Sequence, residues 1–368
     1  MANIIDYLKW RGDLTLQQSE FNEIDNLILS RFVYFPLEEI MVENEVVLIS
    51  ELGERFKNTN IDKERILQKE DLEMFPLITK SKRFGQMKAT KYVSKIDCEA
   101  EKQFSAITIL MPDDTIYVSY SGTDFSIVGW KEDFNMSFKN HVASQKDALV
   151  YLQTISELYK EPIRVGGHSK GGNLAVYASI FAKEDIQNRI INIYNNDGPG
   201  FEEDIILTEG YKKIINKVHA FIPEHCIFGK LLNHKEKYTI IKSNQKGIMQ
   251  HDLFTWKVQG NKFVESEKIT YGSEFIDKTI KEWHKKTEPK QREQLVDIIF
   301  EIINNTQAET FIEIKNQWLT NTKIILNSYQ NMDQKSKDIV LKTMSELFKI
   351  GKDNLFEDYQ KSKRRNLK

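Results

Sequence analysis

Two cysteines among 368 residues, Cys98 and Cys226, are too few for a disulfide framework, and neither sits in a CxxC or Cys/His spacing that would hold zinc. Such usage suits a reducing compartment. An excess of charge of one sign is missing too. Lys and Arg number 52 against 54 Asp and Glu, a formal net charge of −2, so no overall field draws the chain to nucleic acid or to an anionic membrane. Long apolar runs are absent: AITILM (106–111) typifies the longest, against the roughly 20 residues that span a bilayer. The opening MANIIDYLKWRGDL is interrupted by Asp6, Lys9, Arg11 and Asp13 and lacks the apolar core of a secretory signal. No internal repeat and no low-complexity tract occurs. These absences predict a soluble cytoplasmic protein with no metal, no cofactor, no nucleic-acid partner and no transmembrane segment.

What is present is patterned in three stretches. Residues 1–80 carry mostly helical spacing, as in Phe21, Ile24, Leu27 and Ile28. Between 86 and 121 the runs QMKATKYVSKI, KQFSAITILM and TIYVSYS are β-branched and aromatic, with Pro112-Asp113-Asp114 as a turn between the last two. From 141 to 244 helices and strands alternate: a helix at about 141–159, strand PIRVG, a helix from 170, then strands RIINIYNN, KVHAFI and YTIIKS. That alternation predicts an α/β fold with a mostly parallel sheet flanked by helices.

Beyond about 270 strand signals stop. Four apolar stripes at helical spacing follow: Phe275, Ile276, Ile280 and Trp283; Leu295, Ile298, Ile299, Ile302 and Ile303; Phe311, Ile314, Trp318 and Ile325; and Val340, Met344, Leu347 and Phe348. They predict a C-terminal helical appendage, 271–368, buried against itself or against a domain spanning 1–270. The basic tail KSKRRNLK (361–368) is expected to fray.

The stretch RVGGHSKGGNLAVYAS (164–179) joins a strand to a helix through Gly167-His168-Ser169-Lys170-Gly171, which fits GxSxG. In a nucleophile elbow the serine occupies a sharp, strained turn, so its close neighbours must lack side chains. The helix after it must lie close on the sheet, and Gly171, Ala175, Ala178, Ser179 and Ala182 supply a small face for that. A phosphate loop is disfavoured, since GHSKGGN has neither the G-x-x-x-x-G-K-[ST] spacing nor a lysine followed by a hydroxyl.

A serine hydroxyl becomes a nucleophile only when a base takes its proton and an acid orients that base. After such an elbow the chain order is Ser, acid, His. Of the downstream histidines, His219 lies inside a strand, His284 lies in the helical appendage, and His225 and His234 flank a segment without a clear position. His251, in KGIMQHDLF, follows the last strand on a loop and is the expected base. Asp197, at the end of RIINIYNN, is the expected acid, with Glu224 in FIPEHC at an equivalent strand end as the alternative. Donors for a developing oxyanion are expected from the amide of Lys170, immediately after the serine, and from Thr123 in the loop that breaks strand TIYVSYS at Ser121-Gly122.

The segment YSGTDFSIVGWKEDF (120–134) resembles the oxyanion segment of the class 3 lipases, Phe-Arg-Gly-Thr/Ser followed by an Asp-Trp…Asp element, and GGHSKGGNLA resembles their elbow. Together with NNDGPGF and GIMQHDLFTW, these segments more closely resemble a lipase-like bacterial family of the α/β-hydrolase fold related to class 3 lipases, over about residues 1–265. The resemblance implies Ser169 as nucleophile, Thr123 and Lys170 as oxyanion donors and His251 as base. Three departures stand out. Ser121 replaces the arginine of the lipase motif, so the loop needs other support. Lys170 replaces a leucine, which argues against a greasy site wall. The lipase acid motif is missing, and Ile222-Pro223-Glu224 stands there instead.

The expected activity is a serine hydrolase of esterase or lipase type, forming an acyl-enzyme from a small acyl ester or lipid, with thioesters and amides as neighbouring substrates. The alternative is a catalytically silent hydrolase fold used for binding or assembly, its protein partner held by the C-terminal helices.

Overall fold

The computed structural model describes residues 2–61 and 65–365. Eight strands form one sheet in sequence order: β1 (Val46–Leu48), β2 (Lys88–Asp97), β3 (Lys102–Leu110), β4 (Ile116–Tyr120), β5 (Ile163–His168), β6 (Ile190–Asn196), β7 (Val218–Pro223) and β8 (Tyr238–Ile241). The first four pair antiparallel, so a tight turn such as Pro112–Asp114 suffices between β3 and β4, whereas the helices Ile49–Asn58 and Lys69–Lys80 intervene between β1 and β2. From β4 to β8 every pair is parallel. Parallel neighbours need crossovers, and the helices Ala143–Leu158 and Lys170–Phe181 supply two of them.

The sheet separates two apolar layers. One holds the N-terminal helices, with Leu27, Ile28, Phe32 and Phe75 fully buried against Ile107, Ile109 and Tyr117. The other holds Leu152, Ile155, Leu174, Ala175 and Ala178 against Val118, Val165 and Ile193. The small face of the helix after the elbow is buried as expected, and its backbone lies close to β4.

The C-terminal region departs from expectation in two ways. The third stripe is broken at Gln317 into the helices Phe311–Asn316 and Trp318–Asn331. The stripes are also only partly covered. Leu295 and Ile298 are buried, but Trp318 and Phe348 are 61% and 71% exposed, and an apolar groove of about 510 Å³ runs between the helices Tyr271–Lys286 and Gln334–Arg365. The last helix continues to Arg365, through most of the stretch expected to fray; residues 366–368 lie outside the described residues. A further strand, β1, falls within the stretch whose spacing is mostly helical.

Two glycines give opposite expectations. A Cβ on Gly171 would lie 2.1 Å from the Tyr120 carbonyl oxygen, in backbone that cannot retreat, whereas one on Gly351, inside the last helix, would meet only Thr279 Cγ2 at 3.8 Å. Gly171→Ala is therefore expected to destabilise by about 1–3 kcal/mol or more. Gly351→Ala is expected to stabilise by about 1 kcal/mol through helix propensity. Urea unfolding midpoints check both signs.

Candidate active site

The register of the parallel strands decides what meets at their C-terminal ends. Tyr120 pairs with Gly167, His168 with Asn196, and Asn196 with Phe221. Ser169 and Asp197, the next residues on β5 and β6, therefore leave adjacent strands side by side. Both adopt left-handed backbone, with φ of 56° at each, a conformation costly for a residue with a Cβ. The neighbouring glycines follow from this turn. A Cβ on Gly167 would sit 2.3 Å from the carbonyl carbon of Gly171.

His251 arrives on a 3-10 turn, Gly247–His251, after β8. Its Nε2 lies 3.0 Å from Ser169 Oγ and its Nδ1 2.6 Å from Asp197 Oδ2. A carboxylate only accepts, so Nδ1 carries the ring proton and Nε2 is free to accept from the serine hydroxyl. The imidazole packs against the rings of Phe228 and His168, with centroids 4.3 and 4.7 Å away. Asp197 is 1% exposed, and its second oxygen accepts from Cys226 Sγ at 2.9 Å and from the Gly229 amide at 3.2 Å. Burial pushes the Cys226 thiol well above its ordinary pKa, which keeps it protonated and a donor.

Glu224 is elsewhere. Its carboxylate accepts from Ser266 Oγ at 2.6 Å, while its backbone bonds Ile241 and Thr270. Among the other histidines, His219 stacks on Tyr194, His225 bonds Thr270 Oγ1, and His234 and His284 face Glu236 and Glu202.

The side expected to hold an oxyanion is built from two loops. Lys170 is the first residue of its helix, so its N–H has no intrahelical acceptor and faces the helix N-terminus with the favourable end of the dipole. The loop 121–125 lies against the elbow, since a Cβ on Gly122 would be 3.1 Å from Ser169 Cβ. Thr123 Oγ1 donates to Asp133 Oδ2 at 2.6 Å. That bond uses the hydroxyl proton while Asp133 is ionised, so of the two donors expected from Thr123 the amide remains.

One expectation from the sequence needs correction. The Lys170 side chain does not line the site: it is 1% exposed and points inward to Gln103 and Glu132. The other support expected for the loop, where Ser121 stands in place of an arginine, comes from Tyr34, whose hydroxyl accepts from the Gly122 amide at 2.8 Å and donates to the His168 carbonyl at 3.1 Å.

Several residues at the site carry no motif. Burial holds the His168 imidazole well below its ordinary pKa, so it stays neutral, and its Nε2–H donates to the His251 carbonyl at 2.9 Å. Asn196, fully buried, donates to the Gly167 carbonyl at 2.9 Å, and its own carbonyl accepts the Ser169 amide at 2.9 Å. Asn196 ends a strand legible in the sequence; Tyr34 and Cys226 left no signal there. Among the described residues no group of three His, Cys, Asp or Glu side chains could hold a metal ion, and no helix is long and apolar enough to cross a membrane.

The sheet, the crossovers and the elbow after β5 define an α/β-hydrolase fold. The chain belongs to the Mbeg1-like family, whose model matches residues 78–301. No curated protein matches the sequence. Among solved structures the chain is similar to the propeptide complex of Rhizomucor miehei lipase (16% identity, TM-score 0.33, 43% of this chain and 57% of that one). It is also similar to M37 lipase (15%, 0.37, 56% and 69%) and to a mutant form of MDLA from Penicillium cyclopium (11%, 0.38, 67% and 86%). The chain thus spans little more than half of the Rhizomucor lipase.

Asp133 gives this site a pH signature. Burial raises its pKa from 3.8 to about 6, against the lowering pull of Lys170. A carboxyl whose folded pKa lies above its unfolded value favours the folded state most below the unfolded pKa. That contribution is lost as pH rises through the folded pKa. The native protein is therefore expected to lose stability relative to Asp133→Asn between about pH 4 and pH 7, read as diverging urea midpoints. A constant offset across that range would contradict the assignment.

Proposed function

We propose that this protein is a serine hydrolase of esterase or lipase type that cleaves a carboxylic ester through an acyl-enzyme. The observation that carries the reading is the Ser169–His251–Asp197 relay, with contacts of 3.0 and 2.6 Å built on a strained serine. In this mechanism His251 Nε2 takes the proton of Ser169 Oγ as that oxygen attacks the acyl carbon. The negative charge that develops on the carbonyl oxygen meets the amides of Lys170 and Thr123. Collapse of the intermediate sends the proton from His251 to the leaving alcohol. Water, deprotonated by the same imidazole, then releases the acid and restores Ser169. Asp197 holds the Nδ1–H tautomer and stabilises the imidazolium.

A second reading, a silent hydrolase fold that binds a partner, draws on the exposed apolar side chains of the C-terminal helices, among them Trp318, Leu341, Phe348 and Phe356. It requires that no short acyl ester turn over and that a bound partner survive Ser169→Ala. In both readings the balanced charge and the two free cysteines suit a cytoplasmic site of action.

Kinetics on a chromogenic ester separate the two acids. Asp197→Asn is expected to lower kcat by about 10⁴ with little change in KM, because the wrong tautomer then faces the serine. Glu224→Gln, whose bond runs to Ser266, is expected to leave both within about threefold. Large loss in Glu224→Gln with Asp197→Asn nearly active would reverse the assignment.

A further inference from the structure

One feature of the elbow has no part in the relay. The residue after the nucleophile is a lysine whose ammonium is buried. Lys170 Nζ donates to the Gln103 carbonyl at 2.9 Å, to Gln103 Oε1 at 2.7 Å and to Glu132 Oε2 at 3.0 Å, so all three of its protons are used. Both charged side chains are 1% exposed. Glu132 is satisfied in turn, since Oε2 also accepts the Gln103 amide at 3.1 Å and Oε1 the Ser144 amide at 2.8 Å. One ion pair thereby links the elbow, β3, the helix Ile127–Asn135 and the first turn of the helix Ala143–Leu158.

Stability alone does not call for this arrangement. A buried ion pair recovers its desolvation cost only with excellent geometry, and an apolar pair of similar volume is commonly as stable or more so. What the ion pair adds is direction: three N–H···O bonds fix one head group, and through its stem they fix the peptide that carries the Lys170 amide. The next residue on the same helix, Asp133, holds Thr123 Oγ1 at 2.6 Å. Consecutive acids on one short helix therefore grip both residues expected to receive the oxyanion.

We propose that Glu132 and the Lys170 side chain, with Gln103, are a positioning pair that sets the Lys170 amide against the Thr123 loop, so that both donors converge on one oxygen. The proposal rests on the hydrolase reading above, and it assigns the pair no contact with substrate. Its effect falls on the transition state, where the charge on that oxygen is greatest, and little on ground-state binding.

The test uses the full chain. Lys170→Met with Glu132→Leu removes both charges together and leaves no uncompensated ion. It strands the buried Gln103 and Ser144 amides, so the double variant is expected to have a lower urea midpoint and its kinetics are read where it is fully folded. On a chromogenic ester its kcat is expected to fall by about 10²-fold with KM within about threefold, the scale of one misplaced oxyanion donor. Glu132→Gln removes the charge but retains an acceptor for Lys170, and it is expected to lose about tenfold in kcat with KM unchanged, which serves as the test if the double variant does not fold. A native-like kcat in a folded double variant, or in Glu132→Gln where the double variant does not fold, overturns the proposal while native turnover upholds the hydrolase reading. Loss of kcat in proportion to lost stability, or a rise in KM alone, also overturns it, because a merely structural or binding role would give that result. A native protein without turnover overturns the hydrolase reading itself, and the positioning role with it.

Discussion

The parallel pairing of β5 with β6 is the constraint on which the rest of the site depends. Because His168 lies opposite Asn196, the two residues that follow, Ser169 and Asp197, leave the sheet at the same height. A slip of one residue would move one of them back into the sheet and turn its side chain to the other face. The left-handed backbone at each then lifts both side chains off the sheet edge toward the same imidazole. Asn196 pins this register from below. Its side chain bonds the Gly167 carbonyl, and its own carbonyl holds the Ser169 amide, so the two strand ends cannot separate without breaking buried hydrogen bonds.

Around that edge much of the support is polar. Tyr34, from the N-terminal helical part, joins the Thr123 loop to the elbow; Asn26, from the same part, bonds Asn196 at 2.9 Å. Cys226 and Gly229 hold the far side of Asp197. The C-terminal helices reach the same loops from outside. Ser273 bonds the Cys226 carbonyl, Lys230 pairs with Asp277 at 2.9 Å, and the backbone at 309–311 pairs with 125–127 just beyond Thr123. Residues beyond 270 thus brace both the loop beside Asp197 and the loop bearing Thr123.

The sequence made the elbow legible because the turn leaves a local trace: glycines where a Cβ would strike backbone, a strand before and a small-faced helix after. Asp197 and His251 were legible by position, one at a strand end and one on the loop after the last strand. Tyr34 was not, since its partners lie 88 and 134 residues away and a tyrosine after a helix carries no periodic signal. The direction of Lys170 was hidden for another reason. A lysine is ordinarily exposed, and only the tertiary neighbours Gln103 and Glu132 show that this one turns inward. Apolar spacing likewise located the C-terminal helices but neither the break at Gln317 nor the exposure of Phe348. Spacing reports which residues share a face; it does not report whether anything covers it.

The central claim is that Ser169 is an activated nucleophile, and labelling with a fluorophosphonate followed by peptide mass spectrometry tests it most directly. The account predicts a covalent adduct on the native protein confined to the peptide bearing Ser169, lost in Ser169→Ala and strongly slowed in His251→Ala, with folding of both variants verified by thermal unfolding. A folded native protein that takes no label, or equal labelling of the native protein and Ser169→Ala, would contradict it.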